Sequence, residues 1–420
     1  MRPDPLTLQA PPSALTAAAP VSLAMLALLF LRIGCTSVGG FMAMVSVTQQ
    51  VLCERRRLLA PAELLDGLAL ASVLPGPVAV NVAAYAGYRL RGVAGAAIAI
   101  VCAVLPAFLC MVALGSLYLR YGGMAALGPV FRGIAPAIVA IVLAAGWRLW
   151  QSAVRDRRQA ALGVAAAVVM VALPGLATTL AVMAIAAAIG YRCYGSPAHT
   201  PAASAGTAAS AAPLSSMSPM APAGRRRGPQ RLAALLVLPL GALAVLSASP
   251  ILLQLLGVFS SMSLLAFGGG YVFIPLLQHT VVDAYHWLTP REFVDALAIT
   301  QLSPGPAMIS SALVGLKVAG LAGAAAATIG MFVPSAVLMI AASGAMQRVR
   351  ASVSVQAALS GMRAALAGMV FAAAFTIGNA HPVQPLAVAW CAAALFALLR
   401  LRLDAALIVL AAALGGWLFF

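Results

Sequence analysis

Twelve apolar runs, set out in two groups of six, account for most of this chain. The first group lies near 21–50, 62–88, 93–118, 127–147, 160–173 and 176–190. The second lies near 251–282, 291–317, 321–346, 355–377, 385–399 and 403–420. A helix needs roughly 20 apolar residues to cross the hydrocarbon core of a bilayer, and most of the runs reach that length. Composition closes off the soluble alternative. Of the 420 residues 63% are hydrophobic and 8% are charged, against roughly 25% charged in a soluble domain. So few charges cannot cover a water-facing surface. The expected fold is an all-α polytopic membrane protein with about 12–13 transmembrane helices.

The two groups are copies of each other. Residues 37–41 fall on 266–270 at a constant offset of 229, which sets Gly39 and Gly40 on Gly268 and Gly269, with Phe41 opposite Gly270. The same offset sets Pro61, Glu63 and Asp66 on Pro290, Glu292 and Asp295, and Pro75-Gly76-Pro77 on Pro304-Gly305-Pro306. After the loss of one residue, Arg89, Gly92, Gly95, Pro106 and Gly133 meet Lys317, Gly320, Gly323, Pro334 and Gly361. Glycines, prolines and acids in fixed order signal an internal repeat.

The chain therefore divides into a tail (1–20), a first repeat (21–192), a linker (193–230), an unduplicated helix (231–249) and a second repeat (250–420). The linker is rich in Ala, Ser, Pro and Gly, ends near Arg225-Arg226-Arg227, and reads as disordered and cytoplasmic. Six segments and one extra helix make an odd number, so the second copy should enter the membrane inverted, with broken or re-entrant helices near the site, as in many secondary transporters.

The net charge of +16 is carried almost wholly by arginines between apolar runs. That pattern fits orientation by the positive-inside rule and does not call for nucleic acid. With tail and linker inside and Phe420 outside, seventeen basic residues fall inside, Arg291, Arg400 and Arg402 among them, and five outside. The exception is Arg55-Arg56-Arg57, placed outside unless the first segments are re-entrant. The six cysteines are scattered and the histidines lack ligand-spaced partners. Neither a metal nor a cofactor is expected.

An anion crossing such a protein must lose water and regain hydrogen bonds. Glycine lets backbone N–H groups approach a ligand, proline frees backbone groups, and helix N-termini attract negative charge. Gly39, Gly40, Pro75, Gly76, Pro77, Gly268, Gly269, Gly270, Pro304, Gly305 and Pro306 have this chemistry in matched positions; close helix packing through small residues is the bland alternative. Leucine at Gly76 or Gly305 is expected to abolish transport, and alanine to be milder. Arg32, Arg363, Arg89 and Lys317 are candidate partners of the anion. Glu63/Asp66 and Glu292/Asp295 are i,i+3 pairs and candidates for proton coupling. Thr289, Pro290 and Glu292 also read as a helix capping box.

Phe267-Gly-Gly-Gly-Tyr271, Trp287-Leu-Thr-Pro-Arg-Glu-Phe293, Gln301-Leu-Ser-Pro-Gly-Pro306, Gly315 and Gly320 strongly resemble the chromate ion transporter family in its long, two-domain form. Arg32-Ile-Gly34, Gly39-Gly40, Glu54-Arg-Arg-Arg-Leu58 and Pro75-Gly76-Pro77 repeat the pattern more weakly. Departures are Phe41 for a third glycine, Leu58 for tryptophan, and Ala364 where the first copy has Pro136. The resemblance implies efflux of chromate, or of a related oxyanion such as sulfate, across a bacterial cytoplasmic membrane by a multi-pass protein. A homo-oligomer stays open. The membrane potential favours anion exit by about 2.3 kcal/mol per charge per 100 mV, and twice that for a dianion. The contrasting class, an intramembrane enzyme or assembly subunit, finds no H-E-x-x-H or G-x-S-x-G in the sequence.

Overall fold

The computed structural model describes residues 21–37, 41–122, 124, 128–173, 175–194, 249–266, 273–343, 352–379 and 385–419. The tail, the linker from residue 195 on, all but the last residue of the unduplicated helix, and the glycines at 39, 40 and 268–270 lie outside the described residues. Fourteen α-helices are described, seven in each half. The first half holds α1 (Leu23–Thr36), α2 (Phe41–Gln49), α3 (Pro61–Val73), α4 (Val78–Tyr121), α5 (Gly128–Ala153), α6 (Arg157–Ala172) and α7 (Leu176–Tyr194). The second holds α8 (Pro250–Leu265), α9 (Phe273–Gln278), α10 (Pro290–Leu302), α11 (Ser310–Ala342), α12 (Val353–Asn379), α13 (Pro385–Phe396) and α14 (Ala405–Phe419). The order matches helix for helix, as the offset of 229 requires.

The runs at 62–88 and 291–317 count as single crossings in the sequence, and here the structure differs. Helix α3 ends at Leu74, the chain turns through Pro75-Gly76-Pro77, and α4 runs back. Glu63 pairs with Arg89 and Gly67 packs on the ring of Tyr85, so the two arms are antiparallel about Gly76. In the second half Glu292 pairs with Lys317 across Pro304-Gly305-Pro306. Glycine is required at both tips because φ is +106° at Gly76 and +116° at Gly305. An arm of 13 residues (α3) is about 20 Å long, too short for a hydrocarbon core of about 30 Å. Each run is a re-entrant hairpin that returns to the face it entered.

Helices α4 and α11 then reverse again at Gly92 and Gly320, where φ is +65° and +60°. Gly87 packs on Gly95, and Gly315 on Gly323, at contacts with no room for a β-carbon. The arms beyond these turns, 93–121 and 321–342, are long enough to cross. The arm 93–121 leaves the base of the first hairpin and ends beside the base of the second, where the Tyr118 hydroxyl donates to Asp295 and Gly115 meets Leu313 and Leu316. The arm 321–342 does the converse: Ile340 and Val337 pack with Ala96, Val93 and Tyr88. The two hairpins therefore enter from opposite faces, and the repeat is inverted.

This geometry also sorts the arginines. Arg55, Arg56 and Arg57 connect directly to the base of the first hairpin, on the face that carries Arg89 and Arg91. Helix α5 runs antiparallel to α12, with Gly146 against Phe371 and Gly378 nearest Val139, and brings Arg148 to the same face. Arg155, Arg157, Arg158, Arg192, Arg400 and Arg402 join them. Arg291 and Lys317 sit at the opposite base, with Arg120 and Arg132 towards it. The triple arginine thus moves from exception to rule, because the first hairpin is re-entrant, and Arg291 changes sides for the same reason.

The last two helices of each half are exchanged. Helices α6 and α7 pack on α12 of the second half, and α13 and α14 pack on α5 of the first. Gly361 lies against Ala186 and Gly190, and its repeat partner Gly133 lies against Ala412 and Gly416. Backbones approach this closely only where side chains are absent.

Candidate functional site

The two Pro-Gly-Pro tips meet the breaks of the opposite repeat near the middle of the molecule. The Gly76 N–H donates to the Ala266 carbonyl at 2.7 Å, and the Gly305 N–H donates to the Ser37 carbonyl at 2.8 Å. Ala266 and Ser37 end α8 and α1, immediately before the glycine runs. The tips therefore lie where glycine-broken helices of the other half stop. Both glycine N–H groups are engaged by protein, so an anion here would draw its hydrogen bonds from neighbouring groups. The expectation that alanine is mild at the tips does not fit this packing. A β-carbon on Gly76 would collide with Ser335, and one on Gly305 would stand 2.9 Å from the Ala107 β-carbon, both on a backbone that disfavours side chains.

Four side-chain atoms near these tips are buried with no hydrogen-bond partner among the described residues: Asn81 Oδ1, Ser263 Oγ, Ser310 Oγ and Ser311 Oγ. Ser310 is the repeat equivalent of Asn81, and both stand in the opening turns of the second hairpin arm. Ser263 is one turn before Ala266. Asn81 Nδ2 donates to the Pro75 carbonyl at 3.2 Å, which leaves its oxygen facing elsewhere. Other buried hydroxyls, those of Thr48, Thr280 and Thr300 among them, return their proton to the carbonyl four residues back. A buried polar atom left without a partner costs about 1–3 kcal/mol. Four of them, near the two tip-to-break contacts, mark places where something polar belongs. The sequence reading passed over all four, although Asn81 and Ser310 coincide at the offset of 229.

The ionisable candidates separate into three groups. Arg89 with Glu63, and Lys317 with Glu292, close the bases of the two hairpins. Lys317 Nζ reaches both Glu292 oxygens at 2.6 Å, while Glu292 also caps α10 through the Thr289 N–H at 2.8 Å. These four residues hold hairpin shape, and they stand at the faces, away from the tips. Arg32 is on the exposed side of α1. Arg363 is half-buried and donates from Nη2 to the Ser72 carbonyl at 3.4 Å, one turn before the first tip. Asp295 is 3% exposed, the only side chain of the Asp, Glu, Lys, Arg and His types among the buried described residues, and accepts from the Tyr118 hydroxyl at 2.7 Å. Its repeat equivalent Asp66 is only half-buried. The copies therefore differ where charge is concerned, and Tyr118 is a partner that the sequence did not suggest.

Inverted halves, re-entrant hairpins meeting tip to break, and unsatisfied polar groups at that junction define a membrane protein of the transporter class. The chain belongs to the chromate transporter family, whose model matches residues 24–191 and 253–417. It is 30% identical over 317 residues to the chromate transport protein of Cupriavidus metallidurans, covering 74% of this chain and 72% of that one. A probable chromate transport protein of Synechococcus elongatus is 30% identical over 319 residues, 76% of this chain and 75% of its own. An uncharacterized transporter of Methanocaldococcus jannaschii is 26% identical over 312 residues, 74% and 73% of the two chains. No solved structure matches the chain. Chromate transport across a membrane is the activity this family defines.

Proposed function

We propose that this protein exports chromate, or a divalent oxyanion of the same shape, and that the anion rests between the two Pro-Gly-Pro tips. The three serine hydroxyls left without a partner among the described residues carry this reading. The hydroxyls of Ser263, Ser310 and Ser311 supply the hydrogen bonds that a dehydrated tetrahedral anion needs. Pro75, Gly76, Pro77, Pro304, Gly305 and Pro306 shape the seat, and Arg363, tied to the first hairpin near its tip through the Ser72 carbonyl, supplies counter-charge. Gly39, Gly40, Gly268, Gly269 and Gly270, which lie outside the described residues, follow Ser37 and Ala266 in sequence and remain candidates for the same role. Asp295 is the proton-coupling carboxylate, since among the described carboxylates it alone is buried. Sulfate shares the tetrahedral geometry and charge of chromate and is the competing substrate.

Chromate uptake into everted membrane vesicles, with sulfate and molybdate as competitors, tests this. Ser310→Ala with Ser311→Ala removes two donors worth about 1.5–3 kcal/mol each towards a charged acceptor. The apparent KM for chromate should therefore rise by about a hundredfold or more, with normal protein levels. An unchanged KM would move the site away from the tips.

The face that gathers Arg55–Arg57, Arg148–Arg158 and Arg400–Arg402 is assigned to the cytoplasm by the positive-inside rule, in a bacterial inner membrane. The hairpin α6–α7 returns to that face, since the Tyr194 hydroxyl bonds Asp156, which supports a cytoplasmic linker. One crossing by 231–249 then carries the second half in from outside. Reporter fusions in the linker and after Leu418 should report opposite sides, and a common side would end this assignment.

A further inference from the structure

We infer that the cytoplasmic end of the exchanged helix pair holds a second anion site, separate from the transport path, built for the phosphate oxyanion of a lipid headgroup or of free phosphate. A half-open cavity of about 890 Å³ lies where the end of α5 meets the turn between α13 and α14. Three guanidinium groups line it, those of Arg148, Arg400 and Arg402, with Gln151 as a further donor and Trp147 beside them. No carboxylate lines it, and among the described residues none of the three arginines has an acidic partner. Like charges converge in this way at a cost unless an anion joins them.

The local backbone is shaped for the same purpose. Helix α13 ends in a π-turn, Ala397–Leu401, and such turns recur at functional sites. Arg148 Nη2 donates to the Leu398 carbonyl of that turn at 2.9 Å, which fixes one guanidinium on the cavity wall. Arg402 follows with φ +55°, a left-handed conformation that costs about 1–2 kcal/mol for a residue with a side chain. Trp147 is 45% exposed, and tryptophan favours the headgroup level of a bilayer.

Positive-inside orientation alone asks only that arginines lie on this face, and does not ask that three of them share one cavity. Nor is the cluster part of the duplicated transport core. In the first repeat the corresponding turn between α6 and α7, at 172–176, carries no charge, and Thr376 stands at the position equivalent to Arg148. A basic pocket between helices on the cytoplasmic side is the kind that receives anionic lipid headgroups.

Thermal-shift titration of the detergent-purified full-length protein tests the site, with phosphatidylglycerol, phosphatidylcholine and inorganic phosphate as separate probes. Phosphatidylglycerol should raise Tm at concentrations where phosphatidylcholine does not, which identifies the lipid as the source. A shift with inorganic phosphate and none specific to phosphatidylglycerol identifies the free anion instead. Arg400→Gln with Arg402→Gln keeps the Arg148 bond to Leu398, and should weaken the apparent affinity by about thirtyfold, since each arginine near an anionic headgroup contributes about a factor of five. Arg155→Gln with Arg157→Gln and Arg158→Gln removes more charge from the same face and should leave the shift in place. The inference is overturned if neither anion shifts Tm beyond phosphatidylcholine, or if the two sets of variants weaken it equally.

Discussion

Asp295→Asn is expected to uncouple chromate movement from the proton gradient while leaving the protein folded. Asparagine keeps the shape of the side chain and still accepts from the Tyr118 hydroxyl, but it cannot take up a proton. Positioned proton transfer contributes typically 10²–10⁴-fold in catalysis, and a loss on the order of a hundredfold in gradient-driven uptake is the corresponding expectation here. The measurement is uptake into everted vesicles under a pH gradient alone, then under a membrane potential alone. Potential-driven movement should persist in the variant. Tyr118→Phe is the companion: it leaves a buried carboxylate without its donor, which costs about 1–3 kcal/mol or more for a charged group, and should lower Tm. Asp66→Asn, on the half-exposed equivalent, should change coupling little. Equal pH-gradient dependence in wild type and Asp295→Asn would remove this residue from any proton path.

Gly361→Leu should prevent assembly. Gly361 touches the Ala186 carbonyl and Gly190, whose nitrogen and α-carbon lie 3.0 and 2.9 Å from where a β-carbon would be. Even alanine would force the helices apart, and overpacking by a few methylenes costs about 1–3 kcal/mol even where neighbours can shift. Here the neighbours are backbone and cannot. Fluorescence-detected size-exclusion of tagged protein should show aggregated or missing material. Gly257→Leu on α8 is the control, since among the described residues nothing stands within 4 Å of its missing side chain. A monodisperse Gly361→Leu at wild-type levels would show that the exchanged helices are not held through this contact.

The residues that made the repeat legible are those whose backbone role allows no substitute. Gly76, Gly305, Gly92 and Gly320 sit at positive φ, and the prolines beside the first two end helices. Hydropathy, by contrast, measures apolar length and carries no direction. A run of 27 apolar residues at 62–88 reads the same whether it crosses or turns back, and the signal that it turns lay in Pro-Gly-Pro at its centre. Misjudging that direction put Arg55–Arg57 outside. The capping box at Thr289 was readable because all its partners lie within three residues. The clasp between Glu292 and Lys317 was not, because its partners are 25 residues apart and meet only once the hairpin closes. Ser310 and Ser311 were passed over for a different reason. Serine in an apolar helix ordinarily bonds its own backbone, and only coordinates reveal one that does not.

The exchange of terminal helices also sets a timetable for synthesis. Helix α5 is complete when its covering pair, α13 and α14, has yet to be made, and roughly 260 residues separate the end of α5 from the end of α14. At about 5–20 residues per second the ribosome needs on the order of ten seconds to a minute to supply them. Throughout that interval the Gly133 face of α5 meets lipid or an insertion factor. Neither half can mature before the other arrives, so a nascent chain commits to its final form only once α14 has been made.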